Sequence, residues 1–133
     1  RLHWIKTNPL PSYTKRNYRG GVELAFYCCK GNTPSYFAER TQQELRSYWM
    51  LPIVGGAART SHPTQKPVKL YEWLLHNYAN KGDKILDTHG GSMSSAIACH
   101  MEGFELDICE LDKEYFDAAV NRFKIYEQQQ KLF

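Results

Sequence analysis

The residue types best suited to chemistry fall in one tight run and one isolated acid. Asp87-Thr-His-Gly-Gly-Ser-Met-Ser-Ser95 sets two glycines between an acid and a serine-rich stretch. Glycine lets the backbone approach a ligand closely, because no Cβ intervenes. A helix that starts at the end of such a turn aims its unpartnered N–H groups at that ligand. Glu110 stands 19 residues past Gly91. An acid about 20 residues beyond a glycine turn accepts hydrogen bonds from ribose hydroxyls. Together these features describe a pocket for an adenosine-like molecule. Each has a plainer reading, Asp87 as the cap of a turn and Glu110 as a surface carboxylate. A dinucleotide site is a further alternative, although the turn lacks the full Gly-x-Gly-x-x-Gly pattern and the lysine of a phosphate-binding loop.

The elements that must position these residues follow from the apolar pattern. Pro67 suits the first turn of a helix, and Leu70, Tyr71, Leu74, Leu75 and Tyr78 then share one helical face. Lys81-Gly82-Asp83 turns the chain, and Lys84-Ile85-Leu86-Asp87 reads as a short strand. A small-residue helix runs from Ser95 to Met101 and stops at Gly103. Phe104, Leu106 and Ile108 alternate along a second strand ending at Glu110. Asp112 caps a last helix with the stripe Tyr115, Phe116, Ala119, Val120 and Phe123. Strands alternating with helices predict an α/β fold with a doubly wound, mostly parallel sheet, its ligand at the carboxyl edge of the strands. Before residue 62 the pattern is weaker. Residues 2–5 read as a strand end, residues 7–21 as a basic loop, and Val22 to Cys29 as a buried strand. A short helix is expected over Glu39–Trp49.

Composition narrows the classes. No apolar run approaches the ~20 residues that span a bilayer, so no membrane partner is expected. Cys28, Cys29, Cys99 and Cys109 fit neither a disulfide framework nor a zinc site, and read as buried free thiols of a cytoplasmic protein. No metal is expected, His100 beside Cys99 being only a faint hint. Residues 1–82 hold 12 Lys/Arg against 4 Asp/Glu, and residues 83–133 hold 5 against 10. A basic first part points to an anionic partner such as nucleic acid, or to nothing more than a solvated surface.

Three segments carry a family resemblance: His62-Pro-Thr-Gln-Lys-Pro-Val-Lys-Leu70, Gly82-Asp-Lys-Ile-Leu-Asp-Thr-His89 and Cys109-Glu-Leu-Asp-Lys-Glu-Tyr-Phe116. In this order they resemble the DNA amino-methyltransferases of the permuted (β) arrangement, in which the catalytic part precedes the part that binds S-adenosylmethionine (SAM). Trp4-Ile-Lys-Thr-Asn-Pro-Leu-Pro11 and Glu23-Leu-Ala-Phe-Tyr-Cys-Cys-Lys-Gly31 are similar to the family's late catalytic strands. The resemblance implies a Rossmann-like methyltransferase fold and a single domain over 1–133. Residues 1–31 would belong to the catalytic region, 32–61 to a short target-recognition-like segment and 62–133 to the SAM-binding region. It implies that Thr64, Gln65, Lys66 and Pro67 line the methionine end of SAM, with Lys66 facing its carboxylate. Asp87, His89 and Gly91 stand where the family's Asp-Pro-Phe-x-Gly-x-Gly motif places its Asp, Phe and first Gly, and Glu110 holds the ribose. A solvated charge is the alternative for Lys66. Two positions depart from the pattern: His89 replaces the Phe, and Met93 replaces the second Gly. A side chain at Met93 is expected to crowd the cofactor or force the turn open.

The family's Asp/Asn/Ser-Pro-Pro-aromatic loop, which holds the target amine and stacks on a flipped base, is not in this sequence; Asn8-Pro9-Leu10-Pro11 is a faint imitation. No catalytic residue is therefore assigned. The chain is read as incomplete at its N-terminus, with the missing catalytic segment as one expected partner and a homodimer across an exposed sheet edge as another. Lys15, Arg16 and Arg19 are expected to neutralise phosphates of double-stranded DNA. Tyr36, Phe37, Tyr48 and Trp49 either stack on bases or belong to the core. The function implied is methyl transfer from SAM to the exocyclic amine of adenine or cytosine in DNA. The rivals are an inactive SAM- or DNA-binding remnant and, more remotely, a nucleotide-dependent oxidoreductase.

Overall fold

The computed structural model describes residues 1–32 and 40–130, with side chains to Gln128. They form two compact units, Arg1–Ile53 and Val54–Phe133.

The first unit is a three-stranded sheet in the order β2-β1-β3. β1 (Leu2–Lys6) pairs antiparallel with β2 (Val22–Ala25) and parallel with β3 (Tyr48–Leu51). Leu2 and Trp4 are buried at alternate positions, as a strand with one covered face requires. The Trp4 indole N–H donates to the Leu51 carbonyl (3.0 Å), fixing β3 against β1. Lys6 pairs with Glu23 across the hairpin (2.8 Å). Two expectations are corrected here. The run from Val22 is a short edge strand rather than a buried one, and Val22, Leu24 and Phe26 face solvent. The expected helix over Glu39–Trp49 is a single turn at residues 42–45 followed by β3. Thr41 and Glu44 do form the reciprocal capping pair of a helix start (Thr41 N–H to Glu44 Oε2, 2.8 Å; Glu44 N–H to Thr41 Oγ1, 3.3 Å). The β-prone Tyr48-Trp49-Met50-Leu51 then takes the free edge of β1 and ends the turn. Glu39, Tyr36 and Phe37 lie outside the described residues.

The second unit is built around α2 (Ser94–Glu102), whose residues from Ser94 to Cys99 are all buried. Small side chains allow this close packing on both sides. On one side Ala98 and Cys99 pack with Leu75 of α1 (Val68–Tyr78) and with Tyr71, Ile85 and Phe104. On the other, Ala96 and Met93 pack with Ala119 of α3 (Lys113–Gln130), Val120 and Phe123. β4 (Lys84–Asp87) and β5 (Glu105–Ile108) pair in parallel, joined through α2. The parallel pairs β4–β5 and β1–β3 bear out the α/β expectation. The strands lie in two sheets, however, and the β1–β2 hairpin makes the first of them mixed. Pro67 is the N-cap of α1, one place before its expected position, and Asp112 caps α3 by accepting the N–H groups of Glu114 and Tyr115 (2.9 and 3.0 Å). Trp73 and Asn77, outside the expected stripe of α1, are buried, while Phe116 on the expected stripe of α3 is half exposed. Of the four free cysteines only Cys99 is buried; Cys28, Cys29 and Cys109 are exposed. Among the described residues no helix is long and apolar enough to cross a membrane.

Candidate functional site

The carboxyl ends of β4 and β5 are laced together beyond the strands. Cys109 N–H donates to the Asp87 carbonyl (2.9 Å), and Gly90 N–H donates to the Cys109 carbonyl (2.7 Å). The turn therefore lies flat on the end of β5. Glycine at position 90 is dictated by this contact: a Cβ there would meet Ile108 Cγ1 at 2.8 Å and the Cys109 carbonyl oxygen at 3.2 Å. Gly91 follows with φ +52°, a left-handed conformation that side chains disfavour. Its N–H donates to Glu110 Oε2 at 2.6 Å, and Glu110 Oε1 accepts the Asp112 N–H at 2.9 Å. The Asp112 and Gly91 N–H groups, with His62 nearby, hold the Glu110 carboxyl below its usual range, so it is an anion at neutral pH.

Beside this carboxylate lies an open cavity of about 320 Å³ lined by His62, Thr64, Lys66, Tyr71, His89, Gly90, Gly91, Ser92 and Glu110. Five residues named from the sequence thus come together: Thr64, Lys66, His89, Gly91 and Glu110. The Lys66 ammonium donates to the Thr64 carbonyl (3.3 Å), and the His89 ring bonds the Thr88 hydroxyl (2.8 Å). Three others are placed differently. Gln65 is buried; its amide accepts the Thr60 N–H (2.7 Å) and donates to the Ala58 carbonyl (3.1 Å), so it shapes the segment that carries Thr64 and Lys66. Pro67 caps α1 outside the cavity lining. Asp87 accepts the His89 N–H (3.0 Å) and the Ser95 hydroxyl, which ties the turn to α2.

His62, Tyr71, Gly90 and Ser92 were missed. His62 opens the very run that drew attention to Thr64 and Lys66, and Tyr71 follows Pro67 by about one helical turn. The His62 ring packs edge-on against Tyr115 (centroids 4.7 Å apart), and a Cβ at Gly91 would meet its Nε2 at 3.1 Å. Its Nδ1 is buried and has no hydrogen-bond partner among the described residues.

Met93 resolves the departure from the glycine pattern. It keeps the left-handed backbone (φ 55°) that a glycine would hold there. Its side chain is 4% exposed and turns into the Ala96–Ala119 cluster, away from the cavity, which it does not line. The expected crowding is absent from this structure, and burial of the thioether offsets the backbone strain.

In the loop of the first unit, Lys15 and Arg16 are exposed, and Lys15 has φ 55°. Arg19 is exposed as well but engaged within the loop. Its guanidinium donates to the Pro9 and Leu10 carbonyls and closes the loop on itself.

The family model described as DNA methylase (N6_N4_Mtase) matches residues 1–121. The chain belongs to this DNA methylase family. Among curated members, the Type II methyltransferase M2.MboI of Moraxella bovis is 33% identical over 106 residues, covering 73% of this chain and 39% of that protein. The Type II methyltransferase M2.DpnII of Streptococcus pneumoniae is 27% identical over 133 residues, covering 92% of this chain and 50% of that protein. The chain thus spans half the length or less of these two relatives. Among solved structures, the crystal structure of the M1.HpyAVI–SAM complex superposes with a TM-score of 0.66 at 27% identity, covering 91% of this chain and 59% of that one. The Rossmann-like α/β fold expected from the sequence is therefore the family's fold.

Proposed function

We propose that this chain is the SAM-binding part of a methyltransferase that modifies the exocyclic amine of adenine or cytosine in double-stranded DNA. The observation that carries the reading is the Glu110 carboxylate, fixed by two backbone N–H groups on the wall of a cavity that also holds Lys66 and the glycine turn. The donor set fits the group. Each carboxylate oxygen has two acceptor sites, so Glu110 keeps capacity for two ribose hydroxyls. Lys66 offers a cation to an α-carboxylate. His62 brings a buried, unpartnered ring nitrogen to the same wall. When bound, SAM supplies an activated methyl group on a sulfonium. The chain's own residues bind and orient: Glu110 and the turn fix the nucleoside end, Lys66 and Thr64 the amino-acid end, and the rings of His62 and Tyr71 exclude water from the wall between them. The relative M1.HpyAVI was crystallised with SAM, and this supports the reading. Lys15 and Arg16 serve as phosphate contacts, and the free thiols suit a cytoplasmic setting.

Calorimetric titration of the chain with SAM tests the proposal, with Glu110→Ala as control. Saturable binding that the variant loses is the expected result. A folded wild-type chain that takes up no SAM sinks the reading.

A further inference from the structure

Behind the glycine turn lies a half-buried cation that the cavity lining does not include. Arg122 projects from α3, and burial pulls its guanidinium below the usual value. No carboxylate pairs with it among the described residues. An arginine taken out of water without a counter-ion costs stability unless its donors are met. Here the functional segments accept from one of its nitrogens. Nη1 donates to the Ser92 carbonyl (2.6 Å) and to Ser94 Oγ (3.0 Å), and the guanidinium carbon lies 5.7 Å from the centroid of the Tyr126 ring.

Ser94 makes the arrangement directional. Its hydroxyl has one hydrogen, which goes to the Lys66 carbonyl (2.8 Å). Its two acceptor sites then take the Arg122 N–H and the Ser92 hydroxyl (3.2 Å). The oxygen is saturated and 2% of the residue is exposed. A single chain of hydrogen bonds therefore runs from α3 through the first residue of α2 to the backbone of Lys66, with a branch to the turn at Ser92. Lys66 and Ser92 both line the cavity.

We propose that Arg122, acting through Ser94 and the Ser92 carbonyl, is a positioning residue that sets the separation between the Lys66 segment and the glycine turn, and so fits the cavity to its ligand. This rests on the reading of the cavity as a SAM site. Holding the Ser92 carbonyl from behind keeps the N–H face of the turn toward Glu110. Holding the Lys66 carbonyl keeps its side chain at the opposite wall.

The test compares wild type, Arg122→Met and Arg122→Lys in the full chain by two measurements, backbone hydrogen exchange and calorimetric SAM affinity. Met keeps much of the packing volume but removes the donors, whereas Lys restores one donor to Ser92. The expected result for Arg122→Met is faster exchange confined to residues 64–66 and 90–94 and a loss of SAM affinity on the order of tenfold. Arg122→Lys recovers part of both. Wild-type exchange and affinity in Arg122→Met would overturn the proposal, and so would exchange that rises uniformly along the second unit, which marks a merely structural role. If the wild-type chain binds no SAM, the cofactor reading fails by itself, and the exchange pattern still decides whether Arg122 holds the two segments.

Discussion

The two units bury their apolar residues in opposite ways. Among the described residues of Arg1–Ile53, Leu2 and Trp4 are the buried hydrophobics, while Val22, Leu24, Phe26, Trp49 and Met50 lie open. Val54–Phe133 buries Trp73, Leu75, Met93, Ala119 and the α2 residues from Ala96 to Cys99. The cavity belongs wholly to this second unit. Precise hydrogen-bond geometry at a turn requires a packed support that cannot drift, and α2 supplies it. The basic loop of the first unit needs only to present charge, and a loop held by Arg19 and by the Asn8 side chain on Ile53 N–H (2.6 Å) suffices for that.

Substitutions at the two ends of this contrast should separate widely. Ile97→Ala, at 1% exposure in α2, is expected to cost about 3 kcal/mol. Leu24→Ala on the edge strand should stay within about 0.5 kcal/mol. Denaturant midpoints measure both, and equal losses would show that the first unit has a core of its own.

The next effect concerns charge. With Lys15 and Arg16 changed to Ala, duplex-DNA affinity should lose about two units of slope against log salt. Arg19→Ala should change the slope by less, since its guanidinium is engaged by loop carbonyls. A slope untouched by the double change removes the loop from the DNA surface.

A smaller change tests the turn itself. Met93→Gly relieves about 1 kcal/mol of left-handed strain but removes a side chain whose burial contributes about 2 kcal/mol. The variant should be about 1 kcal/mol less stable, with SAM affinity unchanged. A gain in affinity would mean that the side chain does reach the cavity.

The smallest effect is the acid response. Glu110 has a depressed folded-state pKa, so its contribution to stability is present above the ordinary carboxylate value near 4.5 and is lost as pH falls through the depressed one. Glu110→Gln should flatten that part of the acid-unfolding curve. An unchanged curve would show that the two backbone N–H contacts do not persist in solution.

The same contrast explains what the sequence made legible. From Pro67 onward each helix carries its own start or stop signal, Pro67, Asp112 and Gly103, and each strand leads within a few residues into the cavity lining, at His89 and at Glu110. Local chemistry and tertiary packing agree there, so the pattern read true. Between residues 40 and 51 they conflict. The Thr41–Glu44 pair is a genuine helix start, yet pairing with β1 claims the next residues. The exposed β2 shows a second limit: an apolar run reports a preference for burial, not whether anything covers it. Within the site, Glu110 and Gly91 were legible because spacing alone places an acid opposite the turn. Gln65 and Asp87 lie apart from the cavity lining, where their side chains bond neighbouring backbone, and a polar residue in a binding run gives no sign in the sequence of which of the two it will do. Arg122 gave no signal, since an arginine on a long, mostly polar helix looks like any solvated charge.

Cys99 has a kinetic consequence. It is 2% exposed between α1 and α2, and burial, with Asp87 nearby, pushes its thiol up to about 11. Only the thiolate reacts with alkylating reagents, so at neutral pH Cys99 is modified almost exclusively from conformations in which the two helices have parted. Cys28, Cys29 and Cys109 are reached without any such opening. The labelling rate of one native residue, set against three fast ones in the same chain, therefore clocks how often the support beneath the glycine turn comes apart.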